Sequence, residues 1–99
     1  MLQITDNQHA VLDEALRIYG AEAQIKKIVE ELTELSLALQ HGLKNGFATP
    51  ENVEEETADA FITLQYLTRL FSEQRIQQVV EQKIDRLEKK IAKTTYKNF

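Results

Sequence analysis

Two acid-bearing segments constrain this chain more than anything else in it. The first is Glu30-Glu31-Leu32-Thr33-Glu34 and the second is Glu54-Glu55-Glu56-Thr57-Ala58-Asp59. Each places two carboxylates at i and i+3, Glu31 with Glu34 and Glu56 with Asp59, and residues three apart are neighbours on a helix surface. At about 100° per residue, Val53, Ala60, Leu64, Leu67 and Phe71 fall on one stripe. Glu56 lies inside that stripe, roughly 40° from Ala60, and Asp59 sits at its edge beside Thr63, Tyr66 and Leu70. On the earlier helix the stripe is Ile25, Ile28, Val29, Leu32, Ser36 and Leu39, with Glu31 and Glu34 flanking it. Carboxylates do not gather at an apolar interface unless something neutralises them, because repulsion and desolvation both oppose it. Two such helices side by side predict a four-acid cluster of Glu31, Glu34, Glu56 and Asp59. Oxygen-only clusters of this kind suit hard divalent cations, Mg²⁺ above all, with Mn²⁺ as its substitute.

The remaining composition narrows the alternatives. The chain has 99 residues and 42% apolar content, enough for one domain over residues 1–99. A net charge of −4 argues against a general nucleic-acid surface. With no cysteine there is no disulfide framework and no thiolate zinc site. Only His9 and His41 are imidazoles, and neither follows a glutamate by three residues, as a di-iron bundle requires. His41 reads instead as a residue near a helix C-terminus, favoured by the dipole. No apolar run approaches the roughly 20 residues of a membrane span. The opening residues lack the basic and apolar regions of a signal peptide, so a cytoplasmic protein is expected, with no membrane and no nucleic-acid partner.

The punctuation predicts four helices. Thr5 or Asp6 caps a first helix ending at Tyr19, and Gly20 stops it. A second helix covers 21–41 and Gly42 closes it. Residues 42–48 form a loop around Asn45-Gly46. Thr49-Pro50 opens a third helix reaching Phe71, with a hydroxyl cap followed by proline at the first helical position. That helix is apolar on nearly every side, which predicts burial on more than one face and hence a subunit interface. Ser72 caps a fourth helix over 73–93, striped by Ile76, Val80, Ile84, Leu87 and Ile91. A tail follows from Thr94, and only residues 2–5 carry a weak strand signal.

Lys83, Arg86 and Lys90 lie within roughly 60° of one another on the fourth helix. Alone they would be a solvated basic face; near a carboxylate-bound cation the same line suits phosphate oxygens. Lys44 is a weaker candidate for that role, and Phe47 reads as a loop anchor or a base-stacking ring.

The spacing Glu30-Glu31-Leu32-Thr33-Glu34, about two dozen residues, then Glu56-Thr57-Ala58-Asp59 resembles the hallmark of the MazG-type all-α nucleoside triphosphate pyrophosphohydrolases. The flanking segments Tyr19-Gly20-Ala21-Glu22-Ala23-Gln24 and Lys83-Ile84-Asp85-Arg86-Leu87-Glu88 look like those of short phage and bacterial members. The likeness therefore spans residues 9–92. It implies an all-α, four-helix MazG-like bundle completed by oligomerisation, as a homodimer or homotetramer with sites near subunit boundaries. It also implies Mg²⁺-dependent hydrolysis of a (d)NTP between the α and β phosphates. Glu31, Glu34, Glu56 and Asp59 would be metal-ligating and catalytic, and Lys83, Arg86 and Lys90 would bind substrate. Many relatives carry an asparagine on the last helix that contacts the nucleotide, and Asp85 stands in its place here. The competing class is a non-catalytic helical oligomerisation or nucleotide-binding module.

Overall fold

In the computed structural model, which describes residues 1–97 and side chains through residue 94, the chain is four α-helices. They are α1 (Asp6–Tyr19), α2 (Ala21–Asn45), α3 (Pro50–Leu70) and α4 (Glu73–Lys97). There is no strand among the described residues, so residues 2–5 are not one.

Local chemistry sets most of the boundaries. Thr5 starts α1 with a capping box: the Gln8 amide N–H donates to Thr5 Oγ1 at 3.1 Å, and Thr5 N–H donates to Gln8 Oε1 at 2.9 Å. Gly20, at φ 86°, both ends α1 and begins α2, a single-residue corner that an L side chain would strain. Ser72 caps α4 by accepting the Arg75 N–H at 3.1 Å. Thr49 precedes Pro50 as expected, but its hydroxyl makes no capping hydrogen bond, and the helix start rests on the proline.

Two boundaries move. The second helix does not stop at Gly42; it runs to Asn45 and ends at Gly46, whose φ is 88°. Gly42 is buried inside the helix because the Phe47 ring folds back onto it. A Cβ at position 42 would come within 2.0 Å of Phe47 Cε1. The glycine is there for close approach, not termination, and Phe47 is a loop anchor rather than a free stacking ring. The fourth helix continues to Lys97, through residues that read as tail; Asn98 and Phe99 lie outside the described residues.

The pair α2–α3, joined by a short loop, forms the main interface, and α1 packs against both. The core is Leu12, Ile28 and Tyr66, packed with Ile4, Ala15, Leu16, Leu67 and Leu70. Arg69 ties α3 to α1: its Nε donates to Asp13 Oδ1 at 2.5 Å, and Nη2 lies 2.7 Å from His9 Nδ1.

The buried face of α2 is not the predicted stripe. Gln24, Ile28, Glu31, Ala38 and Gly42 are its buried residues, a spacing of threes and fours that also takes in half-buried Leu35. Ile25, Val29, Leu32 and Leu39 are exposed, as is Leu37. On α3 the buried residues are Ala60, Thr63 and Tyr66, while Leu64 and Phe71 of the expected stripe are exposed. The packed face of α3 is rotated toward Asp59. Helix α4 packs on α3 alone, and none of its described side chains is fully buried; Ile76, Val80, Ile84, Leu87 and Ile91 are all exposed. No helix among the described residues is long and apolar enough to cross a membrane.

Candidate metal centre

The rotation of both faces carries the acids inward. Glu31 sits at the middle of the α2 face that meets α3, and only 5% of its surface is exposed. Glu56 and Asp59 are half-buried on the facing side of α3. Carboxylate oxygens of Glu31, Glu56 and Asp59 all lie within 4.8 Å of one another. A second triad, Glu30, Glu31 and Glu34, meets the same limit. Glu31 belongs to both. The predicted quartet is thus arranged as two overlapping triads, and Glu30 stands in the second although it is solvent-exposed.

The environment is hostile to bare charge. Glu31 Oε2 and Glu56 Oε2 are buried and have no hydrogen-bond partner. Leaving such an oxygen unpaired carries its full desolvation cost. Burial, first, and then the charge of Glu34 push the Glu56 carboxyl above its ordinary range; Asp59, a hydrogen bond with Glu34, and the charge of Glu31 add to the rise.

Among the described residues, one cation reaches the cluster. Lys27 Nζ lies 3.0 Å from Glu31 Oε1, and the hydrogen bond and charge of Glu31 hold its ammonium above the usual lysine range, with Glu30 and Glu34 contributing. Lys27 also lines a cleft of about 510 Å³ beside the acids, with Gln24, Glu31, Asp59, Thr63 and Tyr66 on its walls. Thr63 keeps its own hydroxyl satisfied by donating to the carbonyls of Asp59 and Ala60, so it does not spend a carboxylate oxygen.

The donor set fits a divalent hard cation. It offers carboxylate oxygens only, two of them buried and unpartnered, from two helices whose packing fixes their spacing. Glu31, Glu56 and Asp59 would hold such an ion, with Glu34 and Glu30 available on the other side of Glu31.

The basic line on α4 is placed elsewhere within a single chain. Lys83, Arg86 and Lys90 are exposed, none of them lines the cleft, and α4 makes no packing contact with α2. Asp85 pairs with Lys89 at 3.0 Å on the α4 surface. Lys44 is exposed in the last turn of α2. His41 lies within α2, its Nδ1 3.2 Å from the Asn45 amide.

Two cleft residues were not singled out from sequence. Lys27 stands four residues before Glu31, a pairing distance visible in the chain. Gln24 continues the same face one turn earlier, and it looks unremarkable until α2 is seen to bury that face. Comparisons of the chain with family models, with curated proteins and with solved structures found no match.

Proposed function

We propose that this chain is a MazG-like nucleoside triphosphate pyrophosphohydrolase that splits a (d)NTP at the α–β phosphate bond in a Mg²⁺-dependent reaction, serving to clear nucleotides from the pool. The observation that carries the reading is the pair of buried, unpartnered oxygens on Glu31 and Glu56, set with Asp59 in one cluster. A pair of helices does not keep two such oxygens for its own stability.

Glu31, Glu34, Glu56 and Asp59 are the proposed ligands of Mg²⁺, or of Mn²⁺ in its place. Bound there, the cation supplies positive charge for phosphate oxygens and lowers the pKa of a coordinated water. The protein's own part is to hold the carboxylates at fixed spacing and to accept a proton. A water oxygen bonds to a phosphorus flanking the α–β bridge as the bridging P–O bond breaks. The water proton passes to a carboxylate of the cluster, and the products are a nucleoside monophosphate and pyrophosphate. Lys83, Arg86 and Lys90 are assigned to the phosphates. Because α4 does not line the cleft of its own chain, that assignment calls for α4 of a second subunit in a homodimer or homotetramer.

The exposed apolar stripe of α4 favours one other reading, a helical interaction module without turnover. Incubating the protein with Mg²⁺ and a panel of (d)NTPs, then assaying pyrophosphate, separates the two. Release of pyrophosphate from at least one nucleotide is expected. No release from any of them, by a folded protein, would rule out the enzyme.

A further inference from the structure

We infer that Lys27 is the internal counter-ion of the acid cluster: it holds Glu31 while the site is free of metal, and turns to phosphate oxygens of the ligand once a divalent cation has taken Glu31. This rests on the cation-site reading above and assigns a residue that reading does not use.

Three observations support it. First, Lys27 is the one cation among the described residues that reaches the cluster, at 3.0 Å from a carboxylate that is 94% buried. Second, its neighbour Lys26 gives an internal comparison. Lys26 pairs with Glu22 at 3.2 Å, but both side chains are more than three-quarters exposed. That is an ordinary surface pair on the solvated side of α2, in the order, acid before base, that a helix favours. Lys27–Glu31 has the less favourable order, and its acid is buried, so helix propensity does not account for it. Third, the Lys27 side chain is itself half-exposed and lines the cleft that also contains Asp59. Its flexible four-carbon stem can therefore leave Glu31 without unpacking anything.

The geometry makes two opposite demands on one residue. A divalent cation and the Lys27 ammonium draw on the charge of one carboxylate, the ammonium at Glu31 Oε1 beside the unpartnered Oε2, so removing the ammonium strengthens cation binding. An anionic ligand seated on that cation has Lys27 beside it, so removing the ammonium weakens ligand binding. A lysine with a purely structural role produces neither effect, or weakens both through loss of fold.

The test uses Mn²⁺ alone, followed by electron paramagnetic resonance, and then inorganic tripolyphosphate with Mn²⁺ present, followed by calorimetry. Lys27→Met keeps the stem and the helix propensity while deleting the charge. It is expected to bind Mn²⁺ about tenfold more tightly, the scale on which a charge within about 4–6 Å perturbs a neighbour. It should bind tripolyphosphate about tenfold less tightly, and Lys27→Arg should restore that affinity. Lys26→Met, which deletes the adjacent surface charge, should change neither value by more than about twofold. If the wild type binds Mn²⁺ but Lys27→Met shifts both affinities the same way, or shifts neither, the Lys27 assignment is overturned while the cation site stands. If the wild type takes up no Mn²⁺, the cation site falls and Lys27 with it.

Discussion

Glu31 on α2 and Glu56 on α3 meet across the main helix interface, each with a buried carboxylate oxygen that accepts no hydrogen bond. With Asp59 within the same 4.8 Å, the pair is a concentration of like charge that the apolar contacts around it do not relieve. Lys27 neutralises one oxygen of Glu31 and none of Glu56. The chain therefore bears an electrostatic penalty where its two best-packed helices touch, and that penalty makes the site readable by mutation.

Glu56→Gln is the sharpest such mutation. It keeps the volume, removes one of the repelling charges and supplies donors for neighbouring carboxylates. The metal-free variant should melt at the wild-type temperature or above it, while Mg²⁺-dependent pyrophosphate release falls by about a hundredfold or more, since an acid that shapes the charge of the site is gone. Thermal melts and a pyrophosphate assay on the same preparation check both halves. A variant hydrolysing (d)NTPs at the wild-type rate would remove Glu56 from the catalytic assignment.

The pH dependence follows from the same residue. Burial and the neighbouring acids raise the Glu56 carboxyl in the folded chain above the 4.5 of a free glutamate. Between that value and the raised one, the folded state binds the proton and the unfolded state has released it. Stability then falls as pH rises, because the folded state holds more protons. The contribution is favourable to folding at the acid end and is lost once pH passes above the raised value. Urea midpoints of the metal-free protein should thus decline as pH rises above the 4.5 of a free glutamate, more steeply in the wild type than in Glu56→Gln. Equal slopes would mean that Glu56 is not perturbed by its surroundings.

The order of elements was legible in the sequence and the helix faces were not. Thr5, Gly20, Thr49-Pro50 and Ser72 mark four starts and stops through chemistry that acts within a few residues, and all four helices begin where these residues place them. Gly42 misled because its role depends on the Phe47 ring five residues on, a contact that no local rule describes. The acid spacing brought Glu31, Glu56 and Asp59 together as expected. On α2, however, Ile25-Val29-Leu32 competes with Gln24-Ile28-Glu31 for the packed side, and the more apolar set is the exposed one. Hydrophobic periodicity marks which residues favour leaving water, not which neighbour covers them. Arg69 was invisible for another reason: its partners His9 and Asp13 lie 60 and 56 positions away.

Arg69 should prove to be a structural clamp. Its side chain is 16% exposed and binds Asp13, His9 and the Gln65 carbonyl, so it fixes α1 against α3 by charge-assisted hydrogen bonds. Arg69→Met retains the stem and deletes the donors. A loss of about 2 kcal/mol in chemical denaturation is expected, within the range for hydrogen bonds to charged groups. Amide exchange in α1 should speed up, and the Mn²⁺ affinity of the α2–α3 cluster should not change by more than about twofold if that interface is independent. Unchanged stability would show that α1 is held by Leu12 and its apolar neighbours alone.

The apolar surface that remains predicts assembly. Ile76, Val80, Ile84, Leu87 and Ile91 run along α4 at 38–61% exposure, Val29, Leu32 and Leu39 form a second open stripe on α2, and Leu37 is exposed on another side of that helix. On the third helix, where apolar residues on nearly every side predict a subunit interface, Ile62 is exposed and Phe61 is half-buried. The radius of gyration is 17.3 Å, against about 13 Å for a compact chain of this length, because α4 packs on a single helix. An α4 that buries so little in its own chain needs a partner to hold 25 residues helical. α4 carries seven Lys and Arg against four Asp and Glu, whereas α2 and α3 together carry nine acids against four bases. The basic helix of one copy and the acidic pair of another are therefore complementary in charge as well as in apolar surface. Sedimentation at micromolar concentration should give a multiple of 11.4 kDa. Leu87→Lys, which puts a charge in the middle of the stripe, should shift that species toward single chains and reduce α4 helicity with it. A wild-type species of single-chain mass with α4 fully helical would overturn the assembly, and would leave Lys83, Arg86 and Lys90 with no route to the acid cluster.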